Sequence, residues 1–472
     1  MKKRLIVPTF IASLALITGV FSVSVQSKTA KKVYAVGDIM EDGGHYAFDI
    51  EPEIQGVYAH KFLVPADICY NTQKSRSMSI LGDIESVWDE YKGKGTTIAV
   101  IDDGFDHDHA EYTRKDGTSA ILSTSRYYYA SGSSAAYKEY SEDPTCLDED
   151  WNSDSSEWDT HGTNTSTTAA APMGNGGVVG IAPEADILAL KIDMSFAAIK
   201  GAISYAISQG VDVINMSLGA YAQSFTDGFN KSQSGSSSVS TYLNQVCTQA
   251  YNAGIIVVAA AGNEATSYKS YPACNSHVIG VGALAKNSAT TLAAFTNFNQ
   301  SETQGDEKNV DILAPGFVYT AGITGTQSKH NATWHDTQGT SFASPIVAGA
   351  ACLWKQKNPS GTPSQFEDAL TSTAAGIGTY KDAEVNPATY YGDSSFKNNL
   401  DSNISCGRLD VGALMSLGSD VTSISISESA KTLYTSGSYS SNTSFELSAN
   451  VIPGTAVNQN ITWTTSNSGI AK

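Results

Sequence analysis

Cysteine is sparse in this chain, and its placement excludes more than its number does. Six cysteines (Cys69, Cys146, Cys247, Cys274, Cys352 and Cys406) are spread over 472 residues, and no two form a Cys-x-x-Cys pair. A thiolate metal site of the usual spacing is therefore excluded. Charge is also scarce, at 16% of residues, and positive charge most of all: Lys and Arg number 29 against 47 Asp and Glu, for a net charge of -18. That balance argues against nucleic acid or an anionic membrane as partner. Long apolar runs are lacking after the first residues. The one present, from residue 5 to about 23, follows Lys2-Lys3-Arg4 and carries small residues at Ser22, Ser24 and Ser27. This is the pattern of an export signal over residues 1–27, a membrane anchor being the alternative. No other stretch reaches the roughly 18 apolar residues needed to span a bilayer. In an exported chain the even cysteine count permits disulfides of undetermined pairing, with buried free thiols as the alternative at Cys247 and Cys352.

From Thr96 to about Ile312, apolar strand-like runs alternate with helical patterns. The runs cover 97–101, 187–191, 211–216, 255–260 and 278–283, with helical stretches such as 196–208 and 242–252 between them. Runs without polar alternation belong to strands buried on both faces, which predicts an α/β fold: a parallel sheet sandwiched by helices. In such sheets the chemistry gathers at the carboxyl ends of the strands. Asp102, Ser217 and Asn263 lie at or just past such ends.

Three motifs carry reactive groups. Gly339-Thr340-Ser341-Phe342-Ala343-Ser344-Pro345 precedes a run of small residues and reads as a serine at the mouth of a buried helix. A hydroxyl is a weak nucleophile without a neighbouring base and donors for the oxyanion. Asp159-Thr160-His161-Gly162-Thr163 offers an imidazole, and Val100-Ile101-Asp102-Asp103-Gly104 offers a carboxylate. The order Asp, His, Ser, together with Ile181-Ala182-Pro183, the Val213 to Gly219 block, Ala259-Ala260-Ala261-Gly262-Asn263 and Asp311 to Gly316, resembles the subtilisin-like serine proteases over about residues 79–413.

The resemblance implies a serine endopeptidase that acts through an acyl-enzyme on protein or peptide substrates and needs no cofactor for catalysis. It assigns Ser341 as nucleophile, His161 as base, Asp102 as orienting group and Asn263 as oxyanion donor. It assigns Ser217, Leu218, Gly219 and Ala260, Ala261, Gly262 to the walls of the pocket for the residue before the cut, with Ser270 near its floor and Glu264 at its rim. Structural calcium is implied near Glu111, Asn175 and the loop 173–178, with an imperfect match at Gly174. Asp103 stands where relatives carry Ser or Thr, and a second carboxylate there would couple to the first. Two acidic or serine-rich insertions, 127–159 and 220–240, are expected as surface loops near the cleft.

The domain reading is a signal at 1–27, an N-terminal extension or short prosegment at 28–75, the catalytic domain at 76–418, and from 419 to 472 alternating antiparallel strands. These last resemble the start of a bacterial Ig-like β-sandwich, expected to continue past Lys472. The rival functional class is an extracellular adhesive or binding protein with an inactive protease-like scaffold, attached to the cell surface through its C-terminal region. Within the enzyme class, narrow processing of one partner is the alternative to general degradation. Phe342 occupies the place of an oxidisable Met common in relatives. Activity is therefore predicted to survive mild peroxide better than in Met-bearing relatives; rapid oxidative inactivation of the pure protein would contradict this.

Overall fold

The computed structural model describes residues 65–131, 137–140, 147–221, 238–265, 269–299, 308–327, 329–377 and 406–417, with six short strands outside these stretches. The chain divides into two compact units, residues 1–66 and 67–472. In the first, Ala15–Leu16 pairs with Gly19–Val20 and Met40–Asp42 with His45–Ala47, both antiparallel. The remainder of residues 1–64, which hold the expected export signal and most of the expected 28–75 extension, lies outside the described residues.

The second unit is built on an eight-stranded sheet. Its order is Ile312–Pro315, Ile279–Leu284, Ile256–Ala260, Val213–Met216, Thr97–Asp102, Asp186–Ile192, Arg126–Ala130 and Tyr137–Tyr140. Every pair is parallel except the last. The five apolar runs read from the sequence all fall in this sheet. Their side chains are buried on both faces, as at Ile98, Val100, Ile214, Val258 and Val281. Each fully buried Val or Ile contributes about 1.5–3 kcal/mol relative to exposure.

Two helices cross near the middle of the sheet. Of the helices α1 (Tyr70–Arg76), α2 (Ile84–Glu90), α3 (His161–Ala170), α4 (Phe196–Gln209), α5 (Ser238–Asn252) and α6 (Thr340–Lys357), these two are α3 and α6, buried along almost their whole length. Helix α3 is rich in Thr and Ser, and such a helix can be buried only if its hydroxyls are bonded. They turn back on their own helix: Ser166 to the Gly162 carbonyl at 2.6 Å, Thr167 to Thr163 at 2.7 Å and Thr168 to Asn164 at 2.8 Å. A long antiparallel hairpin, Phe317–Thr326 with Lys329–Gln338, packs on α3 through Thr320 and leads into α6.

Residues 67–76 pack into this unit. Asp67 accepts from the backbone of Gly174 and Gly176, and Gln73 bonds both ways with Val179. Cys69, Cys247, Cys274 and Cys352 are buried free thiols, and Cys406 is a half-buried one; Cys146 lies outside the described residues, as do residues 222–237 of the second insertion. Beyond residue 418 the description holds only Ser423–Ile426 paired antiparallel with Ala449–Ile452. The rest of the expected Ig-like sandwich lies outside the described residues. No described helix is long and apolar enough to cross a membrane.

Close approach of α6 to its neighbours depends on Gly349. A Cβ there would lie 2.6 Å from Ile181 Cβ and 2.9 Å from the Ala169 carbonyl oxygen. Gly349→Ala is predicted to cost about 1–3 kcal/mol by overpacking, measured by urea unfolding. An unchanged midpoint would mean that the helices separate freely.

Candidate active site

Asp102 ends its strand and is fully buried. Its Oδ1 accepts from His161 Nδ1 at 2.7 Å and from the Asp103 backbone N–H at 3.0 Å; its Oδ2 accepts from Thr165 Oγ1 at 2.7 Å. Burial alone would raise this carboxyl's pKa. The His161 charge and these hydrogen bonds outweigh it and hold the pKa below the ordinary carboxylate range. His161 opens α3, and Thr165, one turn later on the same helix, reaches the same carboxylate. Burial disfavours the imidazolium, but the adjacent Asp102, with Asp103 and Asp159 further out, raises the His161 pKa above its usual value.

Ser341 lies in the first turn of α6, and the ring of its neighbour Phe342 is 5.8 Å from that of His161. Among the described residues the Ser341 hydroxyl has no hydrogen-bond partner, so its bond to His161 is not formed in this structure. Gly339 precedes the helix with φ 149°, a conformation that favours glycine. A Cβ there would lie 3.5 Å from Asn263 Nδ2 and 3.6 Å from the Ser341 nitrogen. The backbone thus leaves space between these two donors.

Asn263 follows the Ile256–Ala260 strand. Its Oδ1 accepts from Thr340 N at 2.8 Å and from Thr340 Oγ1 at 3.0 Å, which makes that atom the oxygen and turns the NH2 group toward Gly339. Thr340 Oγ1 also accepts from the Gly262 N–H at 3.0 Å.

Pro345 lies inside α6 and has no N–H for the carbonyl of Ser341, four residues earlier. The Ser217 hydroxyl donates to that carbonyl at 2.7 Å, while accepting from Asn215 Nδ2 at 2.9 Å. Ser217 is therefore buried and engaged, and the wall it was expected to supply is backbone. Leu218 is half-buried, Gly219 exposed, and Ala260 and Ala261 buried. Ser270 is buried, and its Oγ would be met at 2.9 Å by a Cβ on Gly219. Glu264 turns inward: its carboxylate accepts from the Asn263 N–H at 2.7 Å and from Asn297 Nδ2 at 3.3 Å. Burial raises its pKa.

At the expected calcium locus the Glu111 carboxylate is engaged by protein donors. Glu111 Oε1 accepts from Trp334 Nε1 at 2.8 Å and Oε2 from the Val178 N–H at 3.0 Å, while Asn175 Nδ2 donates to the Glu111 carbonyl. Each Glu111 oxygen thus spends one lone pair on an N–H group and keeps another. Two other histidines are engaged elsewhere: His107 with Asp148 at 2.5 Å, and His109 with the Gly322 carbonyl at 3.1 Å.

Three contributors escaped the sequence reading. Thr165 had a usable signal, since i and i+4 share a helix face. Thr340 sat inside the serine motif with only a helix cap in view. Glu149 carried no motif; it is buried beside the Asp102 turn and receives Thr163 N–H and Oγ1 at 2.9 and 2.7 Å.

The profile of the subtilase family matches residues 93–407. The chain is 34% identical over 298 residues to a subtilisin of Bacillus pumilus, covering 61% of this chain and 87% of that one. It is 34% identical over 297 residues to subtilisin E of Bacillus subtilis, and there the match spans 62% of the relative's length and 61% of this chain. Among solved structures, a protease of Pseudoalteromonas arctica is similar with a TM-score of 0.54 and 22% identity, covering 75% of this chain and 99% of that one. Fervidolysin from Fervidobacterium pennivorans gives 0.51 and 22%, covering 74% and 46%. At such identities these two likenesses concern the fold.

Only the neutral imidazole can accept a proton, so a raised His161 pKa moves the acid limb of the rate profile to higher pH. The midpoint of kcat/KM on that limb is predicted above the ordinary histidine value of about 6.5. Peptide hydrolysis followed between pH 5 and 9 (about the range where histidine titrates) checks this. A midpoint at or below the ordinary value would contradict the assigned electrostatics.

Proposed function

This chain belongs to the subtilase family of serine endopeptidases, and we propose that it is exported and hydrolyses peptide bonds of proteins through an acyl-enzyme on Ser341. The observation that carries the reading is the 2.7 Å bond between buried Asp102 and His161, set at the carboxyl edge of the sheet beside the first turn of α6. Export rests on the basic and apolar pattern of residues 1–27.

His161 takes the Ser341 proton as Oγ attacks the scissile carbonyl carbon, and the carbonyl oxygen becomes an oxyanion. Asn263 Nδ2 and the Ser341 N–H donate to that oxygen. His161, now an imidazolium held by Asp102, passes its proton to the leaving amine as the C–N bond breaks. Water then attacks the acyl-enzyme by the same route in reverse, releasing the acid and regenerating the serine. Asp102 stays ionised throughout and fixes the tautomer with the proton on Nδ1. The residue before the cut lies between Ser217-Leu218-Gly219 and Ala260-Ala261-Gly262. The small residues there favour a bulky apolar side chain. Glu264 holds its carboxylate against the Asn263 N–H and Asn297 Nδ2 at the edge of that slot.

A phosphonyl fluoride is predicted to modify the full chain stoichiometrically at Ser341, as mapped by mass spectrometry, and to fail with His161→Ala. No adduct on folded protein would move the inactive-scaffold reading ahead. Asn263→Ala should lower kcat about 100- to 1000-fold with binding retained; a large rise in KM at unaltered kcat would remove Asn263 from the oxyanion role.

A further inference from the structure

We infer that Asp103, Glu149 and Asp159 form a binding site for a divalent cation, with Ca2+ as the ion that fits it. One carboxylate oxygen from each lies within 4.8 Å of the others. Calcium binds oxygen at about 2.3–2.6 Å, so two ligands of one ion stand up to about 5 Å apart, and the observed span fits. All three donors are hard oxygens, which selects an alkaline-earth ion over zinc or copper.

Glu149 points to a ligand independently of the clustering. It is only 4% exposed; one oxygen is used by Thr163, and Oε2 has no partner among the described residues. Asp103 Oδ1 is likewise buried without a partner. Buried carboxylate oxygens left in this condition are costly unless a proton or a cation meets them. The nearby cations are engaged elsewhere: Lys191 Nζ donates to the Asp148 carbonyl at 2.6 Å and to Asp150 at 3.0 Å, and His161 Nδ1 faces Asp102. Burial, with repulsion from Asp102 and Asp159, raises Glu149 to about 8 and Asp103 to about 9. At neutral pH a cation therefore competes with protons for these oxygens. Asp159 is exposed and gives the ion a path from solvent.

The site would join two segments that flank the triad. Asp103 donates its N–H to Asp102 Oδ1, and Asp159 Oδ1 accepts from the His161 N–H at 3.3 Å. An ion between them fixes the segment before His161 to the end of the Asp102 strand. This locus is separate from Glu111, and the inference does not depend on turnover.

The test is isothermal titration of Ca2+ into the chelator-stripped full chain, with thermal unfolding alongside. The expected result is a saturable site that raises the unfolding temperature. Glu149→Gln, which can keep the Thr163 bonds, and the exposed Asp159→Asn should each weaken binding at least about 10-fold, while Glu111→Gln leaves it unchanged. Absence of saturable binding overturns the inference. So does unaltered affinity in a folded Asp159→Asn variant, or loss of the site on Glu111→Gln instead.

Discussion

A fully buried carboxylate, Asp102, sets the terms for everything around it. Charge taken out of water must be met by donors on every side. Here the donors come from three places: the next backbone amide, the imidazole that opens α3, and a threonine one turn further along the same helix. Strand end and helix start are thereby fixed to each other, and the orientation of His161 follows. The same constraint explains why α3 can be rich in hydroxyls yet buried: they are bonded on the helix itself, toward the hairpin at Thr320, or to the buried carboxylates Asp102 and Glu149.

Ser341 is held by different means. Helix α6 is built from small side chains that let it run close under α3 and the sheet, and its first turn is fixed from outside. Thr340 holds the Asn263 amide in one orientation, and Ser217 supplies the donor that Pro345 lacks. Asp102, His161, Asn263 and Ser341 therefore come from separate strands and helices, and the backbone around them leaves little freedom.

Much of this was legible in the sequence, for a physical reason. Strands buried on both faces leave unbroken apolar runs, so five strands of the central sheet could be read directly. Asp102, His161, Asn263 and Ser341 lie in short motifs whose glycines and small residues are themselves structural requirements. What was not legible depends on distant partners. The side chain of Ser217 was expected in a pocket wall and is instead spent on a helix carbonyl. Glu264 was expected at a rim and is folded onto Asn263 and Asn297. The hairpin 317–338 escaped because its outer strand is polar and half exposed, so no apolar run marks it. Glu149 lies in an insertion, where no local pattern announces burial.

The pairing of Pro345 with Ser217 has a consequence for how this chain can change over time. A proline inside a helix creates a carbonyl in need of a donor, and here the donor comes from a strand far away in the sequence. Losing the hydroxyl alone leaves the carbonyl in the core without a donor, whereas replacing the proline alone would bring an N–H to the carbonyl's second lone pair. The dependence therefore runs one way: while position 345 is proline, position 217 is held to a side chain that can donate, although neither residue performs the reaction.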